Sequence, residues 1–210
     1  MDTVKPEHLS LVSQKLYGIQ ENIMITIQPN PKYNNIELKP LGRRPTTIND
    51  IKGILTLIDE TDGNFLEVGA WYGRTTYELA SRFPEKTFHT IDFLEIRLPY
   101  ECAMTTRAPK EDLCKYARHL PNVVFHYIES SNFDYKEKEI TITFIDGNHS
   151  YEGCKADTEL ALKNIPKGGI ICWHDSFQRR FGVPEYLEKE IDSRYKRVAF
   201  EKSQITFIRL

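Results

Sequence analysis

No apolar run in this chain is long enough to span a bilayer. It has no surplus of positive charge either. Lys and Arg number 28 against 30 Asp and Glu, for a net charge of -2, so no basic field argues for nucleic acid. The cysteines, Cys102, Cys114, Cys154 and Cys172, form no CxxC pair and no zinc spacing. Cys172 sits in an apolar run and reads as a small buried filler. The opening stretch "MDTVKPEHLS" lacks the apolar core of a secretory signal. The expected setting is therefore cytoplasmic and reducing, with no membrane partner. Internal repeats and low-complexity tracts are also missing. What remains is an ordinary soluble composition, 40 % apolar and 28 % charged over 210 residues, which suits one core with a terminal extension.

From about Asn64, apolar strands alternate with helical patterns, the signature of a parallel sheet covered on both faces. Strands are expected at "NFLEVG", "TFHTID", "VVFHYI", "ITITFID" and "GIICWHD", with helices near Thr75–Arg82, Lys110–His119 and Glu152–Asn164. The last helix stops at "IPKGG". A further helix, "VPEYLEKEI", leads to "YKRVAF" and "QITFIRL", which are close enough for a hairpin. The expected fold is a Rossmann-like, doubly wound, mostly parallel seven-stranded α/β sheet with one antiparallel strand near its C-terminal edge. Thr46 or Thr47 can cap a helix from Ile48 to Glu60. Residues 1–45, rich in Pro, Asn and basic residues, read as an extension serving as a lid or homo-oligomer contact, and residues 46–210 as the main domain.

The stretch "FLEVGAWYGRT" places Glu67, Gly69 and Gly73 where a buried strand gives way to a turn. Glycines there signal positive φ or a backbone approached too closely for a side chain. In open parallel sheets, ligands bind beyond the carboxyl ends of the strands. The GxGxxG of a pyrophosphate site is absent, and Glu67 adds negative charge that a cationic ligand tolerates better than a phosphate. The next strand ends in Asp92, which can accept from ribose hydroxyls, and Phe93 after it can stack on a base. Acid, spaced glycines and second-strand acid together resemble the class I S-adenosylmethionine-dependent methyltransferases. The resemblance implies that S-adenosylmethionine lies against Glu67, Gly69, Ala70, Trp71, Gly73, Asp92, Phe93 and Asp146. It also implies an adenine contact after the third strand, for which Ser130, Ser131 or Asn132 could serve.

The second informative stretch runs from Ile142 to Ser176. One strand runs into Asp146, with His149 in an Asp-x-x-His spacing, and the next exits at His174-Asp175. Both strand ends open on one edge, so the four side chains can converge. Histidine titrates near neutral pH and carboxylates suit hard cations, the requirements of a base and a divalent metal. The stretch is similar to the metal-dependent macrolide-sugar O-methyltransferases. That resemblance implies Asp146 and Asp175 as ligands for Mg2+ or Mn2+, His149 as general base, and His174 where the family has a second carboxylate. Coverage runs from about Asn64 to Ser176. Alternatives stand beside these roles. His149 could cap the helix near Tyr151, and His174 could tune the pocket instead of binding metal. Asp157 reads as a solvated or capping group. Trp71 and Tyr72 could cover the cofactor or pack beneath the extension, and Arg74 could meet a cofactor carboxylate or stay exposed.

The long connection after Asp92, with Arg97, Tyr100 and Arg107, and the extension, with Tyr33, Arg43 and Arg44, are the expected substrate walls. The function expected is O-methylation of a small molecule, a sugar or glycan. A nicotinamide-dependent oxidoreductase is disfavoured by the missing third glycine and by Glu67. A non-catalytic cofactor-binding module is disfavoured by Asp146 and His149.

Overall fold

The computed structural model describes residues 24–42, 46–93 and 108–210. Arg43, Arg44, Arg97, Tyr100, Cys102 and Arg107 therefore lie outside the described residues. Eight strands form one sheet: β1 (Ile25–Ile27), β2 (Asn64–Val68), β3 (Phe88–Asp92), β4 (Val123–Tyr127), β5 (Ile140–Ile145), β6 (Ile170–Trp173), β7 (Val198–Phe200) and β8 (Thr206–Arg209). Their spatial order is β1-β7-β8-β6-β5-β2-β3-β4. Every neighbouring pair is parallel except those made by β8, which runs antiparallel to both β6 and β7. The single reversed strand agrees with the sequence expectation. The strand count does not, because β1 from the N-terminal segment joins parallel to β7. A three-residue strand is too short to show alternation, which is why pattern reading passes over it.

The helices are α1 (Ile48–Asp59), α2 (Arg74–Ala80), α3 (Tyr151–Asn164) and α4 (Val183–Tyr186), the last continuing as a π-helical turn over Leu187–Ile191. Thr47 is the cap of α1, in a reciprocal capping box with Asp50. On one face of the sheet, Ile51, Ile54, Ile58 and Leu79 pack on Phe65, Phe88, Phe144 and Phe200. On the other, Leu66, Val68, Ile145 and Trp173 meet Cys154, Ala161, Tyr186 and Leu187. Burial on both faces explains the near-continuous apolar strands. Cys172 is fully buried, as its apolar run implies. No helix among the described residues is long and apolar enough to cross a membrane.

The expected helix at Lys110–His119 is instead a 3-10 turn, Lys110–Asp112, followed by turns. The cause is competition for its backbone. Cys114 takes φ 54°, and its N–H donates to the Trp71 carbonyl at 2.6 Å while the Tyr116 N–H donates to the Tyr72 carbonyl at 3.1 Å. The segment is thus tied to the glycine turn, and its own backbone bonds close only isolated turns. Tyr33, expected as a substrate wall, is buried instead, and its hydroxyl donates to Asp59 Oδ2 at 2.6 Å. Asp59 ends α1 on the amino-terminal side of the sheet, away from the ligand edge.

The strand order reverses between β2 and β5, and there the two backbones nearly touch. Gly69 has φ 99°, and a Cβ on it would come within 2.3 Å of the Asp146 carbonyl oxygen. Gly73 has φ 74° and is crowded by the backbone of Cys114. The close neighbour that these glycines admit is the chain itself. Glu67 is the fully buried polar residue of β2. It is 1 % exposed and accepts from the hydroxyls of Thr76 and Thr90. Burial pushes its carboxyl up to about 8, against the opposing hydrogen bond from Thr76.

Two outcomes follow for stability. Gly69→Ala must carry both a forbidden φ and a backbone clash, and should lose more than about 2 kcal/mol in urea unfolding; an unchanged midpoint would contradict the crossing. Glu67 binds its proton more tightly folded than unfolded. Stability should therefore be fullest below the ordinary carboxylate value of 4.5 and decline as pH rises toward 8, by up to about 1.4 kcal/mol per unit. Glu67→Gln should flatten that slope, and an unaltered slope would remove Glu67 as its source.

Candidate active site

The carboxyl ends of β2, β3, β5 and β6 supply the site, and the N-terminus of α1 closes it from behind. Asp146 follows β5, and Asp175 follows β6 by way of His174. Asp175 takes φ 54°, a conformation that Asp tolerates better than most residues. His149 lies on the turn before α3. The cap of α3 is Ser150, whose hydroxyl accepts from the Gly153 N–H at 3.0 Å, so His149 is free of capping duty. Its Nε2 stands 3.3 Å from Asp146 Oδ1 and 3.2 Å from Asp175 Oδ2. Its ring stacks on Phe181 with centroids 4.5 Å apart. Aromatic contact and two carboxylates therefore fix the imidazole's plane and one of its nitrogens.

His174 is 3 % exposed and lies inward of this trio. Its Nδ1 is 3.2 Å from Asp146 and 3.4 Å from Asp175, and its Nε2 is 3.6 Å from Asp50 on α1. These are ion-pair distances without an aligned hydrogen bond. Burial alone would drive the imidazole neutral, but Asp146, Asp175 and Asp50 outweigh it and raise its pKa well above 6.5. Reciprocally, burial would raise Asp146, and His174 and His149 reverse this to hold it below the usual carboxylate range. Asp50 is likewise held low despite burial, by His174 and by hydroxyls of Ser203 and Thr47. Its Oδ1 also accepts from the Gln204 N–H at 2.7 Å. Sequence reasoning did not single out Asp50. Its one local signal is the capping box, which says nothing of a partner far along the chain.

Ligand atoms of Asp146, His149 and Asp175 all lie within 4.8 Å of one another. Two carboxylates and an imidazole suit Mg2+ or Mn2+. His174 belongs to the same cluster but spends its nitrogens between three carboxylates.

Beside this cluster lies the glycine turn. Asp92, at the tip of β3, accepts the Trp71 N–H at 2.6 Å through Oδ2, and burial raises its pKa. Phe93 follows, 39 % exposed, against Tyr127 with centroids 5.4 Å apart. An acid with one oxygen tied to the turn, next to an exposed ring, fits a nucleoside better than a phosphate. Ala70 and Trp71 complete the turn, with Trp71 at φ 43°. Glu67 lies beneath it, bound to the two threonines. Arg74 is drawn to the Leu41 carbonyl and is surrounded by the rings of Trp71, Tyr72 and Tyr116 at 4.7–5.1 Å. Of the two serines after β4, Ser130 faces α3 and donates to Asp157, while Ser131 is exposed and pairs with Glu129. Asp157 is 6 % exposed, so it is neither solvated nor a cap.

A family model described as "Methyltransferase domain" matches residues 66–176, more than half of the chain. No curated protein matches it. Among solved structures, the chain is similar to the apo form of a TDP-rhamnose 3'-O-methyltransferase of calicheamicin biosynthesis, at 14 % identity and TM-score 0.55 over 76 % of this chain and 78 % of that one. It is similar to an RNA methyltransferase from Salinibacter ruber in complex with S-adenosyl-L-homocysteine, at 15 % identity and TM-score 0.52 over 79 % and 93 %. It is also similar to the O-methyltransferase TomG of Streptomyces achromogenes, involved in tomaymycin synthesis and in complex with the methyl donor, at 14 % identity and TM-score 0.50 over 75 % and 76 %. At such identities the likeness is one of fold. With the family match over the glycine turn, Asp92, Asp146, His149 and Asp175, the conclusion is that this chain belongs to the methyltransferase-domain family and is a class I S-adenosylmethionine-dependent methyltransferase.

Proposed function

We propose that the chain methylates a hydroxyl of a small molecule, a sugar or glycan, with His149 as general base. The observation that carries this reading is the imidazole of His149, clamped by Phe181 and by two carboxylates at the sheet edge beside Asp92. When bound, S-adenosylmethionine supplies an electrophilic sulfonium methyl. Asp92 and the 69–73 turn are the residues we assign to its nucleoside and amino-acid ends, with Phe93 and Ser130 toward the base. Asp146 and Asp175 hold Nε2 of His149, which leaves Nδ1 as the nitrogen able to take the acceptor's proton. Asp146 and Asp175 would also hold Mg2+ or Mn2+, which lowers the pKa of a bound hydroxyl. A second reading has one specific support: the ligand spacing of Asp146, His149 and Asp175 suits His149 as a third metal ligand. As a ligand it could not also be the base.

The choice of acceptor leans on the sugar-modifying members of the family that the sequence resembles and on the TDP-rhamnose enzyme among its structural neighbours. We also propose residues 46–210 as the catalytic domain, in a cytoplasmic setting. Residues 1–45 are proposed as a lid or homo-oligomer contact; of these, Ile25–Ile27 join the sheet, and Asn30, Tyr33, Lys39 and Leu41 bond to α1 and α2.

A screen of deoxysugars and glycans with methyl-labelled S-adenosylmethionine should find a labelled product. His149→Ala should then lower kcat by about 10²–10⁴ while affinity for S-adenosylhomocysteine stays within a few-fold. An unchanged kcat would remove His149 from the chemistry. EDTA should suppress turnover and Mg2+ or Mn2+ restore it; activity surviving rigorous chelation would remove the metal. Manganese binding by His149→Ala separates the two readings, since it persists if His149 is the base and is lost if it is a ligand.

A further inference from the structure

The segment that links β6 to α4 is held against His149 by its backbone. The Gln178 N–H donates to the Asp175 carbonyl at 3.0 Å, the Phe181 N–H to the Gln178 carbonyl at 2.9 Å, and the Gly182 N–H to the His149 carbonyl at 2.9 Å. Gly182 packs so tightly on the next turn that a Cβ there would stand 2.1 Å from the Tyr151 nitrogen. Two arginines project from this pinned segment, and they are used differently. Arg179 turns to Glu188, with Nη1 and Nη2 at 2.9 and 2.6 Å from its two carboxylate oxygens. Arg180 lays its guanidinium over Phe181, with Cζ 4.7 Å from the ring centroid. The His149 ring lies 4.5 Å from that same centroid. Imidazole and guanidinium are therefore no farther apart than those two lengths laid end to end, and one small acceptor can reach both.

Stacking uses the flat face of a guanidinium and leaves its N–H donors in the plane, where they form a fork that matches carboxylate and phosphate oxygens. Among the described residues, no carboxylate or carbonyl accepts from Arg180, and the side chain is exposed at the rim. The other end of the site has the opposite charge. Asp146 and Asp175 face His149, which disfavours an anion at the reacting hydroxyl. An anionic acceptor must therefore turn its hydroxyl inward and its charge outward, and Arg180 stands at the outward end. Resting on the reading of His149 as the base, we infer that Arg180 is a specificity-determining residue that pairs with a carboxylate or phosphate of the acceptor, so that the substrates are anionic sugars and neutral sugars are poor ones.

The test is methyl transfer from labelled S-adenosylmethionine, by the full-length protein, to acceptors in matched sets: a neutral hexose, its uronic acid and its phosphate. Wild-type kcat/KM should favour an anionic member over the neutral one by about tenfold or more, and the two anionic arms tell carboxylate from phosphate. In Arg180→Ala the preference should fall toward parity through a higher KM for the anionic members, and Arg180→Lys should restore part of it. Arg179→Ala, whose charge is spent on Glu188, should keep the preference. If Arg180 only pressed Phe181 onto His149, its removal would lower kcat for charged and neutral acceptors alike and leave their ratio intact. A wild-type ratio near one or favouring the neutral sugar, or a ratio preserved in Arg180→Ala, overturns the inference and leaves the reading of sugar O-methylation standing. No labelled product from any member of the sets overturns that reading and this inference with it.

Discussion

The arrangement turns on one buried charge. His174, with carboxylates on both sides, lets Asp146 and Asp50 remain ionised where burial would otherwise protonate them. Without the imidazolium, three carboxylates would crowd one end of the sheet, and like charges at that range cannot all stay ionised. Asp146 and Asp175 are also the groups that orient His149. The charge state of this buried residue thus bears on the cation and base roles proposed for the outer residues. Asp50 extends the same network into α1 and through Ser203 and Gln204 into the turn before β8. One cluster therefore pins the helix, the sheet and the last hairpin to the edge where ligands bind. Breaking such a network by removing one partner leaves an uncompensated buried charge, at a cost of about 3–5 kcal/mol.

The second constraint is backbone proximity at the reversal of strand order. The β2 exit and the β5 exit pack so closely that residue 69 has no room for a side chain. This fixes Asp146 relative to the glycine turn to within a van der Waals contact. Asp92 then draws the turn the other way by accepting the Trp71 N–H. A cofactor across the turn and a group held at Asp146, as proposed above, would then be referenced to one rigid point. Rigid placement of both reactants can contribute about 7–11 kcal/mol toward the barrier.

Much of this was legible in the sequence because parallel strands leave a strong trace. Each strand that carries site residues is a short run rich in β-branched and aromatic residues that ends in a polar group, so Asp92, Asp146 and Asp175 could be set on one edge from the chain alone. The reversed strand β8 was legible through the short gap before it. Other features leave no local trace. The glycines look as if they await a ligand, yet the neighbour they accommodate comes from residues 114 and 146. The stretch after Lys110 has helical composition but lends its N–H groups to Trp71 and Tyr72. Asp157 reads as an exposed helix position until α3 is laid over Ser130. Asp50 reads as a capping residue, and its pairing with His174 depends on contacts across most of the chain.

The account stands or falls on the protonation of His174. Nitrogen-15 NMR of the imidazoles, with His174→Gln to assign the signal, reads it directly. Both ring nitrogens should still carry protons at a pH above the ordinary histidine value of 6.5. A neutral tautomer at that pH, with one nitrogen bare, would contradict the account.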